Sequence, residues 1–127
     1  MTFEVHMEDL LFFIREFVKK EKQDRWIYFA TEKIDKFIKK IDKIGFDLNE
    51  KCTMFEKNIE VPFNQVVREK NLKNGIYYDG WEEQRDQGIR VSPISIEKMR
   101  GSSLIICRKE GIGFFLNHEG WLWVCRK

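Results

Sequence analysis

The C-terminal end of the chain limits the possible folds most. Three apolar runs, SSLIICR, GIGFFL and WLWVC, follow one another with only Lys109-Glu110-Gly111 and Asn117-His118-Glu119-Gly120 between them. Runs of this size suit β-strands, and short gaps that end in glycine suit hairpin connections. The pattern predicts an antiparallel three-stranded meander. Side chains alternate across a strand, so Trp121, Trp123 and Cys125 share one face while Leu122 and Val124 share the other. Both faces are apolar, so other elements must cover at least part of each.

The N-terminal half supplies cover. From Glu8 onward, Leu10, Phe13, Ile14, Phe17 and Val18 recur at helical spacing, and Lys19, Lys20 and Lys22 suit the negative end of the helix dipole. A second helical pattern starts at Asp24, a suitable N-cap, and carries Ile27, Ala30, Ile34, Phe37, Ile38 and Ile41. Gly45 stands where a C-terminal cap belongs. The β-forming run RWIYFAT inside this stretch predicts a break near Thr31. The same region, DRWIYFATEKIDKFIKKI from Asp24 to Ile41, resembles a segment of small bacterial proteins without assigned function, an aromatic run followed by a basic helix. The resemblance implies no activity and no functional residue.

The middle is less regular. CTMFEKNIEVP reads as a strand or an extended linker. Pro62 suits the first turn of a short helix carrying Phe63, Val66 and Val67. IYYDGW reads as a strand entering an Asp-Gly turn, EEQRDQG as an exposed helix or loop, and IRVSP as extended chain before proline. PISIEKM suits one or two helical turns closed by Gly101. With 127 residues and no repeat or composition break, the expectation is a single α+β domain over residues 1–127. Two N-terminal helices would pack on an antiparallel sheet that ends in the meander.

Composition excludes several functions. The net charge is +2, from 23 basic and 21 acidic residues, which does not suit a dedicated polyanion binder. Glu4, Glu8 and Asp9 precede the first arginine and LLFFI is short, so the start does not read as a secretion signal. No apolar run approaches the roughly 20 residues of a membrane span. Three cysteines, Cys52, Cys107 and Cys125, form no paired framework and suit reduced thiols in the cytoplasm. Abundant Lys, Ile, Phe and Asn suits an AT-rich bacterial or phage genome.

Catalytic patterns are missing. His118 lies at a hairpin tip with no nucleophile or orienting partner at a recognisable spacing. Cys52, Cys107, Cys125 and His118 would suffice for zinc by number, but structural zinc uses close cysteine pairs and these are far apart. Ser102-Ser103 is no nucleophile elbow, and Gly111-x-Gly113 lacks the rest of a dinucleotide fingerprint. The expectation is no catalytic residue, no metal and no cofactor.

Two segments remain as candidate binding surfaces. Lys33, Lys36, Lys40 and Lys43 recur at three and four residues and could follow a phosphate backbone, although Glu32, Asp35 and Asp42 are interleaved. IYYDGWEEQRDQGIR places Tyr77, Tyr78 and Trp81 around an Asp-Gly turn close to Arg85. Tyr, Trp and Arg beside charges are favoured at protein interfaces, while burial of the aromatics in the core is the competing expectation. The leading expectation is a small non-enzymatic cytoplasmic protein that acts through a protein partner, like bacterial immunity proteins or phage-encoded inhibitors. A nucleic-acid-associated regulator using the lysines is the first alternative, and a small-molecule-binding domain the second. No membrane partner is expected.

Overall fold

The computed structural model describes residues 6–79 and 88–127. The fold is α+β. Helices α1 (Met7–Phe17), α2 (Lys20–Glu32) and α3 (Ile34–Lys40) lead into a 3-10 segment, Ile41–Asp47. Strand β1 (Cys52–Phe55) and helix α4 (Glu60–Glu69) follow, then β2 (Gly75–Asp79), β3 (Ile89–Val91), a 3-10 turn (Ile96–Lys98), β4 (Ser103–Cys107), β5 (Ile112–Leu116) and β6 (Leu122–Arg126). The strands form one sheet in the order β1-β6-β5-β4-β2-β3. Every pairing is antiparallel.

The meander is as expected, with Leu104 opposite Phe115 and Phe115 opposite Trp123. Its alternation builds two cores. Ile76, Tyr78, Leu104, Ile106, Phe115, Trp123 and Cys125 pack under α1, α2, α3 and the 3-10 segment. Tyr77, Ile105, Cys107, Phe114, Leu122 and Val124 pack on the other face against Phe63 and Val66 of α4 and against Ile94 and Met99. The sequence did not show what covers this second face. Phe63 lies against Phe114 with ring centroids 4.3 Å apart.

Close approach of the helical layer depends on two glycines. A Cβ at Gly113 in β5 would come within 2.7 Å of the Phe13 ring, and one at Gly45 within 2.7 Å of the Trp123 ring. Gly45 therefore acts through packing inside the 3-10 segment and does not cap a helix, as its sequence position suggested. The second helix also differs from expectation. It begins at Lys20, leaving Asp24 exposed within it, and the chain breaks at Lys33, two residues beyond Thr31. The Thr31 hydroxyl donates to the Ile27 carbonyl at 2.8 Å, a local bond that competes with helix propagation.

A set of hydrogen bonds fixes the helical layer to the sheet connection. Lys19 N–H donates to the Asp47 carbonyl at 2.7 Å and Asn49 N–H to the Phe17 carbonyl at 2.7 Å. The Asn49 side-chain amide donates to Glu16 O at 2.9 Å. These bonds hold α2 and the 3-10 segment at a fixed separation. Among the described residues, no helix is long and apolar enough to cross a membrane.

Candidate functional site: a basic and aromatic groove

Between α2 and the 3-10 segment lies an open groove of about 450 Å3. Lys22, Arg25, Trp26 and Phe29 line it from α2, where spacings of three and four residues turn them to one side. Lys40, Lys43, Phe46 and Asp47 line it from the opposite wall. Trp26 is the rigid base. Its ring is buried, it packs edge-on against Phe37 at 5.5 Å, and its indole N–H donates to Asp47 Oδ2 at 2.8 Å. That bond engages one oxygen of Asp47, the one acidic side chain lining the groove among the described residues.

The four cations have no acidic partner in any ion pair among the described residues. Arg25 and Lys40 instead lie over the Phe29 ring, 5.7 Å and 5.9 Å from its centroid. This attraction holds them near the ring without neutralising either charge. At the rim, Phe46 is 65 % exposed, an unusual state for a phenylalanine. The groove can take an anionic group against the cations and an apolar or aromatic group against Phe46.

A larger cavity, about 570 Å3, runs past His6, Asp9, Arg90 and Arg108, but its arginines are already engaged. Arg108 pairs with Glu8 at 3.1 Å and Asp9 at 3.3 Å, and Arg90 donates to Asn74 Oδ1 at 3.2 Å. Lys73 and Lys109 also line it, but Asp9 and Glu110 place carboxylates among its cations.

The lysine stripe is divided. Lys40 and Lys43 line the groove; Lys33 and Lys36 are exposed and do not. The break at Lys33 and the change to 3-10 geometry after Lys40 end the continuous helical face that the spacing implied. Of the aromatic segment, Tyr77 and Tyr78 are buried in β2 and point to opposite faces of the sheet. Neither ring is presented to a partner. Trp81 and Arg85 lie outside the described residues. Tyr77 has a specific internal role: its hydroxyl donates to Asp79 Oδ2 at 2.6 Å and accepts from Arg100 N–H at 2.9 Å.

His118 stands at the exposed tip between β5 and β6, and it has a partner that the sequence did not show. Its ring Nδ1 is 2.5 Å from Asp42 Oδ2, and its backbone N–H donates to Asp42 Oδ1 at 2.9 Å. The Ser102 hydroxyl also donates to Asp42 Oδ1. The hydrogen bond to Asp42 and its negative charge raise the His118 pKa above its ordinary value. Burial works to raise the Asp42 pKa, but hydrogen bonds from Ser102 and His118 outweigh it and hold the carboxyl below its ordinary range. Ser102 binds the carboxylate, and among the described residues no hydroxyl or thiol is hydrogen-bonded to the imidazole. The cluster ties the groove wall to the C-terminal hairpin and turns Asp42 away from the groove. Among the described residues, no three His, Cys, Asp or Glu side chains come together as metal ligands. Cys107 and Cys125 face opposite layers.

No protein-family model, curated protein or solved structure matches this chain.

The groove had a trace in the sequence. Lys22, Arg25, Trp26 and Phe29 follow helical spacing, but Trp26 and Phe29 fall in a run whose residue types favour strands. Phe46 and Asp47 reach the site only through the tertiary fold.

Proposed function

We propose that this is a non-enzymatic binding protein whose α2 groove takes an acidic segment of a protein partner. The supporting observation is the set of four cations without acidic partners around an exposed aromatic rim. An aspartate or glutamate of the partner would meet Arg25 and Lys40, and an adjacent apolar side chain would cover Phe46. Between Lys19 and Lys43 stand nine basic and five acidic residues, so the region is more basic than the chain as a whole.

A protein suits this surface better than a nucleic acid. Glu21, Asp24, Asp35 and Asp42 interrupt the basic residues, which opposes a continuous phosphate backbone. Arg25 and Lys40 already cover Phe29, leaving it unable to serve as an open stacking platform. Bacterial immunity proteins and phage-encoded inhibitors act in the proposed way, by occupying a partner, and a cytoplasmic setting suits three free cysteines.

The test uses fluorescence anisotropy with two labelled probes of equal charge, a short peptide alternating Glu with Phe and a thymidine oligonucleotide. The peptide should bind saturably and more weakly as salt rises. Arg25→Glu with Lys40→Glu should weaken it at least tenfold while the melting temperature barely moves, because both substitutions lie on the groove surface. Tighter binding of the oligonucleotide, lost in the same double variant, would move the assignment to nucleic acid. No saturable binding of either probe would remove the groove as a site for anions.

A further inference from the structure

We propose that Cys52 and Cys125 form a redox site, a cross-strand dithiol that closes into an intramolecular disulfide. Cys52 in β1 is directly opposite Cys125 in β6. The next pair along the ladder is Lys51 and Arg126, where Arg126 N–H donates to the Lys51 carbonyl at 3.1 Å. Antiparallel ladders alternate hydrogen-bonded and non-hydrogen-bonded pairs, so Cys52 and Cys125 occupy the second kind. Side chains approach most closely there. The Cα separation typical of such a pair, about 4.5 Å, lies within the span that a disulfide bridges. The sulfurs therefore need little backbone movement to join.

The two thiols are not equivalent. Cys125 is fully buried beneath the helical layer. Burial first, and then a hydrogen bond with Cys52, hold its pKa well above the ordinary range. Cys52 is half-buried and belongs to a short strand that, among the described residues, lies at the sheet edge and pairs with β6. Brief fraying of that edge exposes Cys52 without opening the core. Cys52 is thus the attacking sulfur and Cys125 the resolving one. Cys107 is buried in the opposite core, its pKa pushed up to about 12 by burial, and has no part in the exchange.

The oxidant is a low-molecular-weight disulfide. Cys52 releases its proton to water, and the thiolate attacks one sulfur of the oxidant. The oxidant's S–S bond breaks and one small thiolate leaves, taking up a proton. Cys125 then attacks the Cys52 sulfur of the mixed disulfide, and its proton passes to the small thiolate it expels, which leaves as the second small thiol. Two protein thiols are oxidised, and one small disulfide is reduced to two thiols. The product fastens the edge strand to β6 and closes a loop that includes α4 and strands β2 to β5.

The experiment keeps the full chain folded in glutathione buffers of increasing oxidised fraction. Remaining thiols are then titrated after acid quenching and unfolding, with peptide mapping of the product. The thiol count should fall from three to one, the mass should drop by two hydrogens, and Cys107 should be the thiol that remains. The oxidised protein should melt several degrees higher, since a bridge across a long loop restricts the unfolded chain. Cys107→Ser should still form the bridge. Cys52→Ser, at a half-exposed position, should stay folded and form none. Three thiols persisting in the most oxidising buffer would overturn the proposal, as would a product that stops as a Cys52 mixed disulfide with Cys125 free. A bridge involving Cys107, or one that forms only when denaturant is added, would overturn it too.

Discussion

Strand β2 and the α2 groove both place aromatic residues next to charges, yet they use them in opposite ways. In β2 the rings of Tyr77 and Tyr78 belong to the two cores, one on each side of the sheet. In the groove the Phe46 ring is mostly in solvent, and Phe29 is half-buried between two cations. The difference comes from position in the layers. A strand inside the sheet has two neighbours and helices over both faces, so alternation leaves its side chains no outward direction. The groove opens between α2 and the 3-10 segment, where Phe46 meets the Trp123 ring of β6 at its edge, 6.4 Å between centroids, and is otherwise in solvent. Aromatic and charged composition therefore does not identify a surface until the layer order is known.

The contrast is tested most strongly at Tyr78. Its ring is 2 % exposed, beneath the start of α1, and its hydroxyl donates to the His6 carbonyl at 3.4 Å. Tyr78→Ala should cost about 3–5 kcal/mol, the usual loss for deleting a buried aromatic ring. That is a large share of the roughly 5–15 kcal/mol of a small domain, so the melt should become broad or vanish near room temperature. Phe46→Ala, measured beside it by urea denaturation, should cost no more than about 1.5 kcal/mol, because it removes only a mostly exposed ring that meets the Trp123 ring edge-on. Comparable losses in both variants would break the distinction between core and groove aromatics.

A smaller effect is expected at Tyr77, where only the hydroxyl is removed. Tyr77→Phe keeps the ring in place but deletes the bond to the buried Asp79 carboxylate and the acceptor for Arg100 N–H. Each group then loses one hydrogen bond at a site with little water. The expected cost is about 1–3 kcal/mol in urea denaturation. An unchanged midpoint would mean that the tyrosine acts through its ring alone.

Sequence periodicity revealed much of what depended on neighbours along the chain, although it placed the start of α2 at Asp24 and not at Lys20. Trp121, Trp123 and Cys125 alternate with Leu122 and Val124, so the meander and its two-faced burial were legible. Phe63, Val66 and Val67 marked α4, but not the face it covers, because a short amphipathic helix carries no address. Glycine often caps helices, so the position of Gly45 suggests a cap; the structural reason for it, the Trp123 ring close against it, arises from a strand far along the chain. The same limit applies to the groove and to Asp42 with His118. Their members meet through the fold, and spacing along one element cannot show a partner on another.

The smallest effect should come from the bond that holds the groove wall to the C-terminal hairpin. His118 is exposed, and its pairing with Asp42 is screened by water, so its loss should shift the melting temperature by a few degrees at most. The pH dependence is more informative than the size. The folded-state pKa of His118 lies above its ordinary 6.5, so its contribution is complete below that value and is lost as pH rises through the folded pKa. Asp42 has the opposite sign. Its folded pKa lies below the ordinary 3.8, so its contribution is complete above 3.8 and is lost as pH falls through the folded pKa. Both contributions are present together between about pH 4 and 6.5. The melting curves of the parent and His118→Ala should therefore differ most in that window and converge in alkaline buffer. Asp42→Asn should narrow the difference, because a neutral amide no longer favours the protonated ring. If His118→Ala melts below the parent by the same margin at about pH 5.5 and about pH 9, the imidazole supports the turn by packing and the charge pairing contributes nothing.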